Sequence, residues 1–125
     1  MEKISKYNIF DEPIEVCSLN PLTGFFRDGC CKSNQQDHGS HLVCAQVTNQ
    51  FLDFSLSKGN DLITPRKEFH FKGLKHGDRW CLCSDRWIEA LKANVAPKII
   101  LKATNKEILK KIDLKILMKH SLDVN

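Results

Sequence analysis

Ten consecutive residues, Asp78-Arg79-Trp80-Cys81-Leu82-Cys83-Ser84-Asp85-Arg86-Trp87, hold two thiols, two indoles and two Asp-Arg pairs. As thiolates, cysteines attack electrophilic sulfur or carbonyl carbon, or ligate soft metal ions. Cysteines at i and i+2 share a face if the segment is extended, because side chains alternate along a strand. The residues that follow read as a helix, with Ser84 or Asp85 placed to cap the orphan N–H groups of residues 87–91. Both thiols would then lie at a strand-to-helix junction, where the positive end of the helix dipole favours the thiolate.

Three chemistries can be built around that junction. The first is a zinc site, with Cys30, Cys31, Cys81 and Cys83 as ligands and Cys44, His38 and His41 as further soft or borderline donors. Its weakness is spacing, since Cys-Cys and Cys-x-Cys aim two sulfurs at one ion less readily than Cys-x-x-Cys does. The second is thiol catalysis of redox or acyl-transfer type. In it Cys81 or Cys83 is the nucleophile, His41 or His38 the base, and Cys30 or Cys31 the resolving partner. It requires the Gly39-Ser40-His41 turn to fold beside the Cys-x-Cys strand. The third is a site for a small polar or anionic ligand, gripped by Arg27, Arg66 and Arg79 and oriented by Asp28 and Asp78.

Each chemistry has a plainer counterpart. Cys17 and Cys44 read as small buried core residues, since free cysteine is among the most buried residue types. Alternating Asp and Arg in loops read as ion pairs that close the loops, because irregular backbone needs polar partners. Trp80 and Trp87 read as core. With all plainer readings combined, the chain would be a structural protein with inert buried cysteines.

The elements that must position these groups fit one domain. The chain has 125 residues, a mass of 14.3 kDa, a formal net charge of +4 and a pI of about 8.8. That is long enough to bury one core without staples. Lysines concentrate in residues 98–119, alternating with Ile and Leu, as on the solvated face of amphipathic elements. With few arginines and no aromatic stacking platform, no nucleic-acid partner is expected. No window approaches a membrane span and no signal-peptide run opens the chain, so a cytosolic location is expected. In a reducing compartment the six cysteines are expected as buried apolar groups, metal ligands or redox thiols rather than three structural disulfides. No Walker loop, G-x-G-x-x-G, G-x-S-x-G or H-E-x-x-H occurs, which removes the common nucleotide and hydrolase classes.

Residues 1–7 read as a flexible tail, and turns and irregular chain extend to residue 40. Residues 41–47 form a buried strand. Thr48 caps a helix through residue 57 or 58, and Gly59 follows as the C′ residue. Residues 60–77 are a long irregular loop, a lid or wall for a site. After the junction helix, residues 98–103 form a second buried strand. Thr104-Asn105-Lys106-Glu107 reads as a capping box for a short helix over 108–112. Asp113 caps a last helix over 114–120, and 121–125 form a second tail. Strand, helix and strand in that order predict a βαβ unit in a small mixed sheet. The fold class is therefore α/β or α+β, one compact domain with helices packed on the sheet and long irregular loops.

Six ordered motifs resemble those of a small, mainly bacterial family catalogued as domain of unknown function 2237. They are Pro21-Leu22-Thr23-Gly24-Phe25, Arg27-Asp28-Gly29-Cys30-Cys31, Gly39-Ser40-His41 with Val43-Cys44-Ala45, Gly59-Asn60-Asp61-Leu62, Thr64-Pro65-Arg66 and residues 77–83. The resemblance runs from about Asn8 to His120 and implies a stand-alone soluble protein. It brings no activity, substrate or cofactor to assign to any residue.

Overall fold

The computed structural model describes residues 6–124. A three-stranded sheet, in the order β2-β1-β3, is built from β1 (Val43–Gln46), β2 (Arg79–Leu82) and β3 (Lys98–Ile99). Around it lie α1 (Asn49–Ser57), α2 (Ser84–Lys92) and α3 (Leu114–Lys119). The fold is α+β and a single domain, as the sequence pattern predicts. The sheet differs from the expected βαβ unit in one respect. β2 and β3 both run antiparallel to β1 and hence parallel to each other, but β1 lies between them, so no two neighbouring strands are parallel. The α2 crossover therefore spans β1.

Both faces of the sheet are buried, and alternation along the strands divides them chemically. Val43, Ala45, Trp80, Leu82 and Ile99 join the main apolar core, which Phe51 and Leu52 of α1, Trp87 and Ala90 of α2 and Leu117 of α3 complete. Cys44 and Cys81 belong instead to a second cluster with Cys17, Cys31, Ile100 and Ala103. The first face lies under helices. The second lies under the N-terminal segment, residues 6–40, which contains no named helix or strand.

Helix ends follow the sequence in part. Thr48 caps α1, its side chain accepting from the Phe51 N–H at 3.0 Å, and Gly59 follows at φ +88°. Asp113 caps α3 by accepting from the Lys115 N–H. At α2 the expected Ser84 or Asp85 cap is replaced by Cys83 with no side-chain cap bond. Ser84 is occupied otherwise: its N–H donates to the Ser40 carbonyl and its Oγ receives Lys111 Nζ at 2.9 Å. The expected capping box on Thr104 is also replaced. Thr104 Oγ1 donates to the Ile100 carbonyl, and Asn105 caps a 3-10 helix, Lys106–Lys110, in its place.

The second predicted strand stops after two residues. The Asp123 carboxylate accepts the N–H groups of Leu101 and Lys102 and turns Leu101–Ala103 into a 3-10 helix. This holds residues expected as a terminal tail, and Leu122 N–H also donates to the Ile99 carbonyl. Of the expected N-terminal tail, residues 1–5 lie outside the described residues, and the Tyr7 carbonyl accepts from the Lys106 N–H.

Candidate functional site: a buried sulfur cluster and its surroundings

Cys44 on β1 and Cys81 on β2 are direct partners in the strand register. They do not bond to each other. Cys44 is joined to Cys17, with Cα atoms 5.7 Å apart, and Cys81 to Cys31, with Cα atoms 5.3 Å apart. All four are buried, from 0% to 4% exposed. The sulfurs of Cys17, Cys31 and Cys81 all lie within 4.8 Å of one another, so one disulfide rests against the other.

The local chain explains why these loops return to the sheet. Thr23, fully buried, accepts the Cys81 N–H at 2.9 Å, and Thr104 Oγ1 accepts the Cys44 N–H at 3.2 Å. Asn105 donates to the Cys31 carbonyl at 3.0 Å, and the Cys17 N–H donates to Gly29 at 2.7 Å. Irregular backbone under a sheet must find such partners, because a buried N–H or C=O left alone costs about 1–3 kcal/mol. At φ +98°, Gly24 lets the turn close on the Cys30 carbonyl, which a Cβ there would strike.

This arrangement alters the expected roles of the cysteines. Of the expected metal set, Cys31 and Cys81 are bonded to each other, while Cys30 and Cys83 remain thiols. A disulfide sulfur has no thiolate to offer a metal, so in this state Cys30, Cys31, Cys81 and Cys83 do not form a ligand set. For the same reason Cys81 is not a free nucleophile. The sulfurs that converge are instead those of Cys17, Cys31 and Cys81, although the sequence around Cys17 reads as plain core. Cys30 and Cys83 are both half-buried. Burial pushes the Cys30 thiol pKa up and the Asp28 carboxylate adds to this, against Lys32.

A second group lies at the N-terminal end of β1. His41 Nδ1 stands 2.7 Å from Asp37 Oδ1, and the Asp37 side chain is only 1% exposed against 38% for His41. The other Asp37 oxygen accepts the His41 N–H at 2.9 Å and the Ser33 hydroxyl at 3.1 Å. A carboxylate only accepts, so Nδ1 carries the proton and Nε2 of the neutral ring is left as a base. The ring folds back over Gly39, where a Cβ would sit 2.6 Å from Cε1. The β1–β2 pairing ends at Val43 and Leu82, and α2 starts at Ser84. The Ser84 N–H to Ser40 C=O bond of 3.0 Å keeps the chains together there. This backbone bond joins Ser40 of the turn to the first residue of α2. His38 is exposed.

The arginines are not gathered in this way. Arg27 stacks on Trp80, with Cζ 5.3 Å from the ring centroid, and donates to the Gly24 carbonyl. Arg66 and Arg79 are exposed. Asp28 binds the Cys30 N–H and Lys32 Nζ, and Asp78 binds the Lys75 N–H. Among the described residues no Asp–Arg ion pair forms. Asp28, Asp61 and Asp78 close their turns through backbone N–H groups instead. Burial pushes the Asp28 pKa up, but the Cys30 N–H and the Lys32 ammonium together hold it below the ordinary value.

Two open grooves lie elsewhere. One, of about 520 Å³, runs between α1 and α2 past Phe54, Lys58, Ile88 and Glu89. The other, of about 510 Å³, lies in the long loop at Pro65, His70 and Phe71. The sequence pattern points to His41 and to Cys30, Cys31, Cys44, Cys81 and Cys83 as candidates, but not to Cys17, Asp37, Thr23 or Asn105. Asp37 is four residues before His41 in a segment without periodicity, and only its place in a turn could have drawn attention to it. No helix among the described residues is long and apolar enough to cross a membrane. The model of a family described as an uncharacterized protein conserved in bacteria, DUF2237, matches residues 7–121. No curated protein matches the chain.

Proposed function

We propose, for a chain that belongs to the DUF2237 family, a role as a thiol–disulfide redox protein whose centre is the buried pair of disulfides. One observation carries this reading: sulfurs from both disulfides lie within 4.8 Å of one another. A dithiol partner reduces one bridge by attack on a sulfur, giving a mixed disulfide that the partner's second thiol resolves. Two electrons and two protons pass to the protein and the partner leaves as a disulfide. A thiolate freed in this way stands beside the remaining bridge and can attack it in turn, so the two bridges exchange with each other. Cys30 and Cys83 are half-buried thiols one or two residues from Cys31 and Cys81; attack by either thiolate on the Cys31–Cys81 bridge expels one buried thiolate and moves the disulfide to the less buried sulfur, where the partner's thiol attacks it.

The test is titration of the folded protein in buffers of a dithiol and its disulfide. Alkylated thiols are counted by mass spectrometry and the fold is followed by circular dichroism. Two reactive thiols in the oxidised protein, rising to six with strand and helix signals retained, support the reading. Bridges that yield only as the chain unfolds would make them structural staples and end it.

A second reading, thiol-dependent acyl transfer by Cys83 with His41 as base, is favoured by the hydrogen bond from His41 to buried Asp37. A neighbouring base raises the thiolate fraction of a cysteine near neutral pH. His41→Gln would then slow alkylation of Cys83 at pH 7 about tenfold or more, leaving Cys30 unchanged. Equal rates in the two proteins would remove this reading. Zinc on the sulfur set Cys30, Cys31, Cys81 and Cys83, or an anion held by Arg27, Asp28, Arg66, Asp78 and Arg79, draws less support from the geometry, since neither group converges.

A further inference from the structure

We infer that the reduced form of the cluster is a zinc site with four cysteine ligands, Cys17, Cys31, Cys44 and Cys81. The inference rests on the redox reading above and names what the reduced centre takes up. Four observations lead to it. The sulfurs of Cys17, Cys31 and Cys81 lie within 4.8 Å of one another. Tetrahedral zinc–thiolate bonds of about 2.3 Å set ligand sulfurs about 3.8 Å apart, so after reduction the Cys31 and Cys81 sulfurs part from bonding distance to make room for an ion, while the Cys17 sulfur is already within 4.8 Å of both. Cys44 lies outside that 4.8 Å group, but it is bonded to Cys17 and directly opposite Cys81 in the strand register, so freed from its bridge it is the fourth cysteine within reach. Those two ligands come from neighbouring strands and the other two from the N-terminal segment, where the Cys17 N–H donates to the Gly29 carbonyl and Asn105 donates to the Cys31 carbonyl.

The surroundings point the same way. The cluster is lined by Ile14, Ile100 and Ala103. Among the described residues no carboxylate or imidazole joins the sulfurs in it, so the donors are soft, which suits zinc rather than calcium or magnesium. In such a pocket an unpaired thiolate is costly, and a divalent ion offsets that cost by binding four at once. Zinc uptake by the four thiols releases four protons. Oxidation by two equivalents of a peroxide takes four electrons from the four sulfurs and four protons from solvent, returns two disulfides, frees the zinc ion and forms four molecules of water. The cluster would thus hold zinc when reduced and release it as the Cys17–Cys44 and Cys31–Cys81 bridges form.

The experiment uses the full chain, reduced by a phosphine without oxygen, desalted and incubated with zinc sulfate. Metal is measured by elemental analysis and thiols by alkylation, with and without a chelator. The expected result is about one zinc per chain and four protected thiols, with Cys30 and Cys83 still reactive. Hydrogen peroxide should release the zinc, and peptide mapping should recover the two bridges. Cys30→Ser with Cys83→Ser should keep the zinc, whereas Cys17→Ser and Cys31→Ser should each lose it. A reduced, folded protein that takes up no zinc would overturn the inference and leave the redox reading intact. Zinc lost with Cys30 and Cys83 would overturn it too, by moving the site. Bridges that cannot be reduced without unfolding would defeat the redox reading first. A chain that unfolds on reduction and refolds with zinc would support the site, and one that stays unfolded with zinc would end it.

Discussion

The two faces of the sheet are stabilised by different means. Under α1, α2 and α3 the chain buries Phe51, Trp87, Ile99 and Leu117 almost completely, and regular hydrogen bonds satisfy the backbone. Under the N-terminal segment there is little apolar bulk, and Phe25, Phe26, Leu19 and Leu22 of that segment stay exposed. What holds it down is two disulfides and side chains that bond between it and the rest of the chain: Asn8 donates to the Lys102 carbonyl, Thr23 accepts the Cys81 N–H and Asn105 donates to the Cys31 carbonyl. The comparison shows how a segment too irregular to pack by periodicity can still be fixed, provided covalent links and buried polar partners replace a core.

The sharpest way to break the comparison is to remove both bridges, by reduction or by Ala at Cys17, Cys31, Cys44 and Cys81. Loop closure over sequence separations of 27 and 50 residues gives about 3.5 and about 4 kcal/mol in the chain-entropy model. The loops overlap between residues 31 and 44, so the total should be less than the sum. Hydrogen exchange should then speed up at Cys17, Gly29 and Cys30 while amides of α1 and α2 stay protected. Uniform loss of protection would mean the two faces form one cooperative unit.

The converse cut is Trp87→Ala. Trp87 is 0% exposed and its Nε1 donates to the Pro97 carbonyl. Truncation should cost about 3–5 kcal/mol by denaturant unfolding, and with the bridges intact the whole chain should unfold at lower denaturant. A smaller effect is expected from Thr23→Val, which leaves the buried Cys81 N–H without its acceptor. The cost should be about 1–3 kcal/mol. Because the residue sits between the segment and the sheet, a loss confined to the segment's amides would show that the polar partners act locally.

How much of this was legible differs between the faces for a physical reason. Helix and strand periodicity, the Thr48 cap and Gly59 are local signals, and they placed β1, α1 and the β2–α2 junction within a few residues. Cysteine pairing is a distance relation in the finished fold. Six cysteines allow many pairings, and no local rule joins Cys17 to Cys44 rather than Cys44 to its strand partner Cys81. The assumption of a reducing compartment weighed against disulfides altogether. Thr104 and Ser84 looked like caps because the local pattern fitted, but tertiary partners, the Ile100 carbonyl and Lys111, took their hydroxyls. His41 was picked out and Asp37 was not, since burial of a carboxylate in a loop leaves no mark on the sequence.

The smallest effect sharpens the comparison at the surface of the N-terminal segment. Burial first, and the Asp28 carboxylate second, raise the Cys30 thiol pKa. A raised pKa leaves less thiolate at neutral pH, so alkylation of Cys30 should climb only above the ordinary thiol range. Asp28→Asn removes the second cause and should move that profile to lower pH by a fraction of a unit, whereas the Cys83 profile should not move. The same change takes a negative charge from Lys32 and weakens a turn that accepts the Cys30 N–H. A shift toward higher pH, or an equal shift at Cys83, would mean that the turn rather than the charge controls this thiol. A partner would then enter the sulfur cluster through a loop whose opening, not whose electrostatics, sets the rate.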